Sequence, residues 1–231
     1  FMSNIVIGIE GYVGAGKTSI CKELLNELPN SILLHGGNLY RAIVYALMNM
    51  QNNHIELKSL SENLQNIDIK ALMDKLQVRL ELENRETVFY VANEKIDDEK
   101  LQSKDNSLAV SIAGKSADNS KLYAFGRTLI DMYKQKFNVI VSGRDLMKIY
   151  PNLDYHFLIT ASLDERVRRK CIQYNEIVNQ EEIRDNIIKR DELQEAAGYY
   201  KKYDKTIEVD VTNFKNAKEG AMEILHFIKE F

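Results

Sequence analysis

The sequence predicts an α/β fold built on a parallel, doubly wound sheet, and three observations carry that reading. Short apolar runs rich in β-branched residues alternate with stretches whose apolar residues recur at helical spacing. A glycine-rich turn joins the first apolar run to the first helical stretch. Near the middle, a segment that alternates apolar and charged residues interrupts the pattern.

The elements follow in order. Ile5-Val6-Ile7-Gly8-Ile9 reads as a buried strand. A helix runs from about Lys17 to Leu28, with Ile20, Leu24, Leu25 and Leu28 on one face, and Pro29-Asn30 stops it. Ile32-Leu33-Leu34 is a second strand, broken by Gly36-Gly37, and a helix carrying Leu39, Ile43 and Leu47 begins near Asn38. Residues 51–67 read as polar and irregular; a short helix with Ile69, Leu72, Met73 and Leu76 follows. Val78, Leu80 and Leu82 then alternate with Arg79, Glu81 and Glu83, and Thr87 to Ala92 is a second extended run, which makes a hairpin connected through Asn84-Arg85. Ser120 to Gln135 forms a helix, and Val139–Val141 and His156–Ile159 are the third and fourth core strands. Ser162 and Glu165 form a capping box that starts the next helix. A charged helical stretch follows from about Gln180, then a fifth strand through Ile207, Val209 and Val211, and a closing helix.

The chain has 231 residues, 45% of them hydrophobic, enough for one domain with insertions. A net charge of −3 argues against a general nucleic-acid or membrane-surface binder, both of which need a basic face. Cys21 and Cys171 match no metal-ligand spacing and read as ordinary reduced thiols. With no apolar run of membrane length and no signal-peptide pattern, the protein is expected to be soluble and cytoplasmic. Phe1 ahead of Met2 reads as a non-native leftover.

Gly11-Tyr12-Val13-Gly14-Ala15-Gly16-Lys17-Thr18 fits the pattern G-x-x-x-x-G-K-[ST], between a predicted buried strand and a predicted helix. Glycines let the chain curl so that successive backbone N–H groups face phosphate oxygens, and the helix adds its N-terminal dipole. Lys17 is placed to reach the β- and γ-phosphates, and Thr18 to put its hydroxyl on Mg²⁺. Gly11 through Thr18, with Ser19 behind them, are the candidate ATP contacts.

Beyond that loop, the chain resembles the bacterial cytidylate kinases, a branch of the nucleoside monophosphate kinases. The resemblance covers nearly all of it: the phosphate loop, Gly37-Asn38-Leu39-Tyr40-Arg41, the helix–hairpin insertion, Val110-Ser111, Ser142-Gly143-Arg144-Asp145, the segment Leu158 to Arg166, and Lys189-Arg190-Asp191. It implies a five-stranded parallel sheet of the P-loop NTPase type with an acceptor-binding insertion and a helical lid. The core would be 1–62, 107–163 and 191–231, the insertion 63–106 and the lid 164–190. It implies a monomeric enzyme acting on small nucleotides, with ATP and Mg²⁺ as cofactors. Arg41, Arg144 and Arg190 would grip the acceptor phosphate, with Lys17, Arg144 and Arg190 as the catalytic cations and Tyr40, Ser111 and Asp145 as further acceptor contacts. Arg166 and Arg169 would reach ATP from the lid; the alternative for these, as for Arg168, is a wet helix face.

The chain departs from the family pattern mostly around the acceptor nucleoside. His35 and Gly36 stand where the family has Asp and Ser, Ser120 where it has a base-reading Arg, and Gln194 and Ala197 where it has Asp and Arg. At the end of the third core strand, Ser142 replaces an Asp, which leaves Glu10 as an alternative carboxylate for the Mg²⁺ waters. Two further readings therefore stand beside cytidylate phosphorylation: a kinase of another small phosphorylated or hydroxyl acceptor, and an ATP-binding regulator without turnover.

Overall fold

A computed structural model describes residues 3–49, 68–103, 106, 120–175 and 179–228. Two compact units emerge, one of residues 1–33 and 133–231, the other of residues 34–132. The expected irregular stretch 51–67 and the candidates Val110 and Ser111 lie outside the described residues.

The first unit is a sheet with helices packed on it. Its strands are β1 (Val6–Gly11), β2 (Ser31–His35, whose last two residues fall in the second unit), β6 (Asn138–Ser142), β7 (Tyr155–Thr160) and β8 (Thr206–Asp210). Their order is β2-β6-β1-β7-β8, with β1 parallel to both β6 and β7, and β7 parallel to β8. In register, Gly8 faces Val141 on one side and His156 on the other. The predicted α/β class and its five core strands are present. Burial on both faces explains why β1, β6 and β7 read as continuous apolar runs, whereas β8 at the edge alternates, with Glu208 and Asp210 exposed.

Helix α1 (Lys17–Glu27) buries Ile20, Cys21, Leu24 and Leu25. They join Ile7, Ile9, Phe157, Ile159, Val209, Ala221 and Ile224 in one core. Helix α9 (Ala217–Phe227) reaches that core because Gly220 has no Cβ: one built there would lie 2.8 Å from Ile20 Cδ1. Its N-cap Asn216 accepts from Glu219 N at 3.0 Å. Helix α7 (Leu163–Tyr174) starts at the expected Ser162, whose Oγ accepts from Glu165 N at 3.3 Å; the other half of the box is replaced, since Ser162 N donates to Thr212 Oγ1 at 2.9 Å and the Glu165 carboxylate pairs with Arg168 and Arg169. Two short connections, α6 (Leu146–Ile149) and the C-cap at Asn175, complete this region, and α8 (Gln180–Ala196) packs back on α7 through Val167, Cys171, Ile183 and Ile187.

The second unit holds α2 (Gly36–Asn49), α3 (Ile69–Lys75), β3 (Val78–Glu83), β4 (Glu86–Val91), β5 (Glu94–Ile96), α4 (Asp98–Leu101) and most of α5 (Ser120–Lys134). Two differences from expectation appear. Strand β2 ends at His35, just before Gly36 and Gly37 as expected, but the helix starts earlier than Asn38: the two glycines form the first turn of α2, whose N–H groups need no intrahelical acceptor. The hairpin also has a third strand: Ala92 and Asn93, at φ 49 and 65, turn the chain so that β5 pairs antiparallel with β4. Three residues are too few for a period to show. The core of this unit includes Leu39, Ile43, Leu72, Met73, Phe89, Ile96 and Leu101.

No helix among the described residues is long and apolar enough to cross a membrane. The tightest point beneath the central strand is Gly8, where an added Cβ would lie 2.7 Å from Leu153 Cδ1 and 3.3 Å from Leu146 Cδ1. Gly8→Val should overpack this point and cost about 1–3 kcal/mol of stability. Urea denaturation would show it as a lower midpoint at unchanged slope.

Candidate active site

The phosphate loop follows β1 at the carboxyl edge of the first unit's sheet, where open α/β sheets bind ligands. Tyr12 N donates to Ile159 O at 3.0 Å, and Ala15 N to Tyr12 O at 3.1 Å, so the chain curls at once after the strand. Gly14 and Gly16 have φ 79 and 95, a region that side chains resist. A Cβ on Gly14 would also sit 3.1 Å from Arg166 O. Helix α1 starts at Lys17 behind Gly16, and no side chain caps it. The helix dipole favours an anion at such a helix start. Thr18 and Ser19 are exposed on this turn.

Arg166 and Arg169 come to the loop from α7. Arg166 donates to Asp191 Oδ2 at 2.8 Å, to Ala161 O at 3.1 Å and to Val13 O at 3.4 Å, with its guanidinium 5.2 Å above the Tyr12 ring. Arg169 donates to Ala15 O at 2.9 Å, to Val211 O at 2.7 Å and to Glu165 Oε1 at 2.9 Å. Both arginines thus serve the loop's own carbonyls here. Arg168 is the exposed one, paired with Glu165. Arg168 first, and Arg169 with it, hold the Glu165 carboxyl down at about 2, against the opposing effect of burial.

At the end of β6 stands the segment Ser142-Gly143-Arg144-Asp145. Asp145 is held at φ 57, and its N–H donates to Glu10 Oε1 at 2.8 Å. The other Glu10 oxygen meets His156 Nε2, and His156 Nδ1 lies 2.7 Å from Thr206 Oγ1. Glu10 and His156 are both buried. Glu10, the alternative carboxylate for magnesium, therefore has both oxygens engaged. Nothing in the sequence singled out His156, a histidine inside an apolar strand. Among the described residues, no cluster of three or more His, Cys, Asp or Glu is arranged to hold a metal ion. A magnesium ion that arrives on phosphate oxygens with most of its waters needs little more than the Thr18 hydroxyl, and the residues present fit that case. Cys21 is buried, and burial pushes its thiol up to about 11, although Lys17 and a hydrogen bond with Ser142 pull the other way.

Arg144 and Arg190 belong to the same unit as the loop. The pKa of Arg144 is lowered, chiefly by the protein packed around it, and Arg190 is near enough to add to the effect. Arg144 is nonetheless exposed to solvent. Its guanidinium lies 5.8 Å from the Tyr199 ring centre and faces the buried side-chain amide of Gln194, which can accept from it once the amide is oriented to suit both neighbours. Arg190 also lines a cavity of about 280 Å³ with Val13, Lys170 and Lys189, so the loop has a cationic flank. Ala197 is only the C-cap of α8.

The remaining candidates lie in the second unit. Arg41 donates to Leu101 O at 3.4 Å, and Tyr40 packs against the hydrophobic core. His35 pairs with Glu86 at 2.9 Å, while its N–H donates to Thr87 Oγ1 at 3.0 Å, a structural arrangement at the end of β2. Ser120 opens α5.

A family model described as cytidylate kinase matches residues 7–230. A cytidylate kinase of Clostridioides difficile is 30% identical, over 97% of this chain and 98% of its own. One of Halalkalibacterium halodurans is 26% identical, over 99% of each. One of Pseudothermotoga lettingae is 29% identical, over 96% of this chain and 93% of its own.

The bonds from Arg169 to Ala15 O and Val211 O make it a brace for the loop. Arg169→Ala should cost about 1.5–3 kcal/mol, the scale of a charged hydrogen bond, and raise amide exchange over 12–20. Arg169→Lys should recover little, because one ammonium cannot span two carbonyls and a carboxylate as a planar fork does. Exchange measured by mass spectrometry on the three proteins checks both statements.

Proposed function

We propose that this chain, which belongs to the cytidylate kinase family, transfers the γ-phosphoryl group of ATP to CMP or dCMP, giving ADP and CDP or dCDP. The observation that carries the reading is the joint presence, in one compact unit, of an uncapped phosphate loop with Lys17 and of the neighbouring cations Arg144 and Arg190. Two phosphate groups that must approach each other repel, and fixed positive charge suppresses the repulsion. Catalysis then needs positioning and charge, with no covalent intermediate.

In this reading, the backbone N–H groups of Gly11 to Ser19 bind the ATP phosphates, and Lys17 follows the charge of the transferred group. Arg41, Arg144 and Arg190 hold the acceptor phosphate, while Tyr40, Ser111 and Asp145 contact the acceptor. Magnesium, when bound through Thr18, screens the β- and γ-phosphate charges. Residues 63–106 act as the acceptor insertion and 164–190 as the lid on the rest. The enzyme works in the cytoplasm as a monomer.

The nucleoside is held less firmly than the phosphate. Two of the replaced positions are already occupied: His35 is paired with Glu86, and Gln194 with Arg144. Neither is left to read a base.

Steady-state kinetics on CMP, dCMP, UMP, AMP and GMP test the proposal. CMP or dCMP should be preferred, by less than about 10⁴ over the other bases, the scale reached when a site hydrogen-bonds every distinguishing group. Lys17→Ala should remove most transfer without changing thermal unfolding, since Lys17 serves charge. An enzyme that phosphorylates none of the five, or one in which Lys17→Ala is fully active, would overturn the reading.

A further inference from the structure

We propose that Gln194 is a positioning residue, a neutral amide that sets the orientation of the Arg144 guanidinium for the acceptor phosphate. This deepens the reading above and rests on it in so far as Arg144 is taken to grip that phosphate.

Gln194 lies on α8 with only 8% of its surface exposed, whereas its neighbour Leu193 is 66% exposed. A long polar side chain turned inward on a helix that leaves a leucine outside must be satisfied by what it meets. With the amide oriented to satisfy both neighbours, its oxygen accepts from Arg144 Nη1 at 3.2 Å and Nη2 at 2.9 Å, and its nitrogen donates to Tyr200 Oη. The reverse orientation would set amide N–H groups against guanidinium N–H groups, so the surroundings choose one orientation.

The geometry has three consequences. One oxygen shared by both terminal nitrogens fixes the guanidinium end-on and hinders its rotation. It leaves the side edge, Nε–H with an outer N–H, for a bidentate contact to phosphate. The partner is also uncharged. A carboxylate in the same place would hold the arginine equally well but cancel the charge that a phosphate dianion needs. An amide orients without neutralising.

The third consequence is a link to the ATP side. Tyr200 is buried, sits at φ 63, and stacks on Tyr12 of the phosphate loop, with ring centres 4.0 Å apart and planes 25° from parallel. Tyr12, Tyr200, Gln194 and Arg144 thus form an unbroken line of contacts, and the arginine is aimed in a frame fixed by the loop. Burial, the largest influence, pushes the Tyr200 hydroxyl up to about 12, so it remains a neutral partner for the amide.

The experiment has two arms. The first uses ligand-free protein and side-chain ¹⁵N NMR, with Arg144 assigned by its loss in Arg144→Lys. Separate Nη resonances, the mark of slow guanidinium rotation, are expected in the wild type and in Gln194→Glu, and a single averaged resonance in Gln194→Ala. Equal rotation in the wild type and Gln194→Ala overturns the proposal. The second arm is kinetic. Gln194→Ala should raise KM for CMP on the order of tenfold, with KM for ATP within about twofold. Gln194→Glu should raise KM for CMP at least as much while its thermal unfolding midpoint holds. A residue that served only the fold would rank the variants the other way, with the glutamate mild. Wild-type KM for CMP in both variants overturns the proposal. If the wild type phosphorylates no nucleoside monophosphate, the functional reading falls, and the NMR arm still decides whether Gln194 sets Arg144.

Discussion

The carbonyl groups of the phosphate loop must all be satisfied inside the protein if its N–H groups are to face a ligand. Tyr12 O accepts from Ala15 N, Val13 O from Arg166 and Ala15 O from Arg169. A loop curled around an anion has no regular secondary structure to absorb these acceptors, and unpaired buried carbonyls are costly. Two arginines from α7 therefore close the back of the loop. They are themselves held, Arg166 by Asp191 and Arg169 by Glu165. Charged side chains on a helix with a polar average composition thus do the work that a strand partner does elsewhere.

A second buried polar assembly lies around Glu10 and His156. Glu10 leaves the end of β1 and ties the Asp145 N–H to His156, and Thr206 accepts from Tyr203 N while meeting the same histidine. Three adjacent strands are thereby joined by side chains as well as by their ladder. Asp145 is kept in a left-handed conformation that a non-glycine residue adopts only when its surroundings insist. The strain lies next to Arg144, whose backbone direction follows from it. Such a carboxylate, buried between a histidine and a backbone N–H, ties β1 to the segment after β6 and to β7.

The altered positions of this family member fall into a consistent pattern. His35 and Gln194 replace residues that would face an acceptor nucleoside, and each has turned to a protein partner, Glu86 and Arg144 respectively. Both side chains are thereby engaged inside the protein, one at the hairpin and one at an arginine.

Local patterns in the chain determined the α/β class, the five core strands, the hairpin Val78 to Val91 and the phosphate loop, because each is a run of adjacent residues whose period or composition shows on inspection. Helix starts at Ser162 and Lys17 were legible for the same reason. Strand β5 was not, since three residues carry no period, nor was the start of α2, where glycines that usually break structure serve as a first turn. The pairings of Gln194 with Arg144, of Glu10 with His156, and of Arg166 and Arg169 with loop carbonyls were decided only by the tertiary structure. Each joins residues remote in the chain through a hydrogen bond whose partner is defined by direction and distance in space, and no spacing along a sequence encodes that.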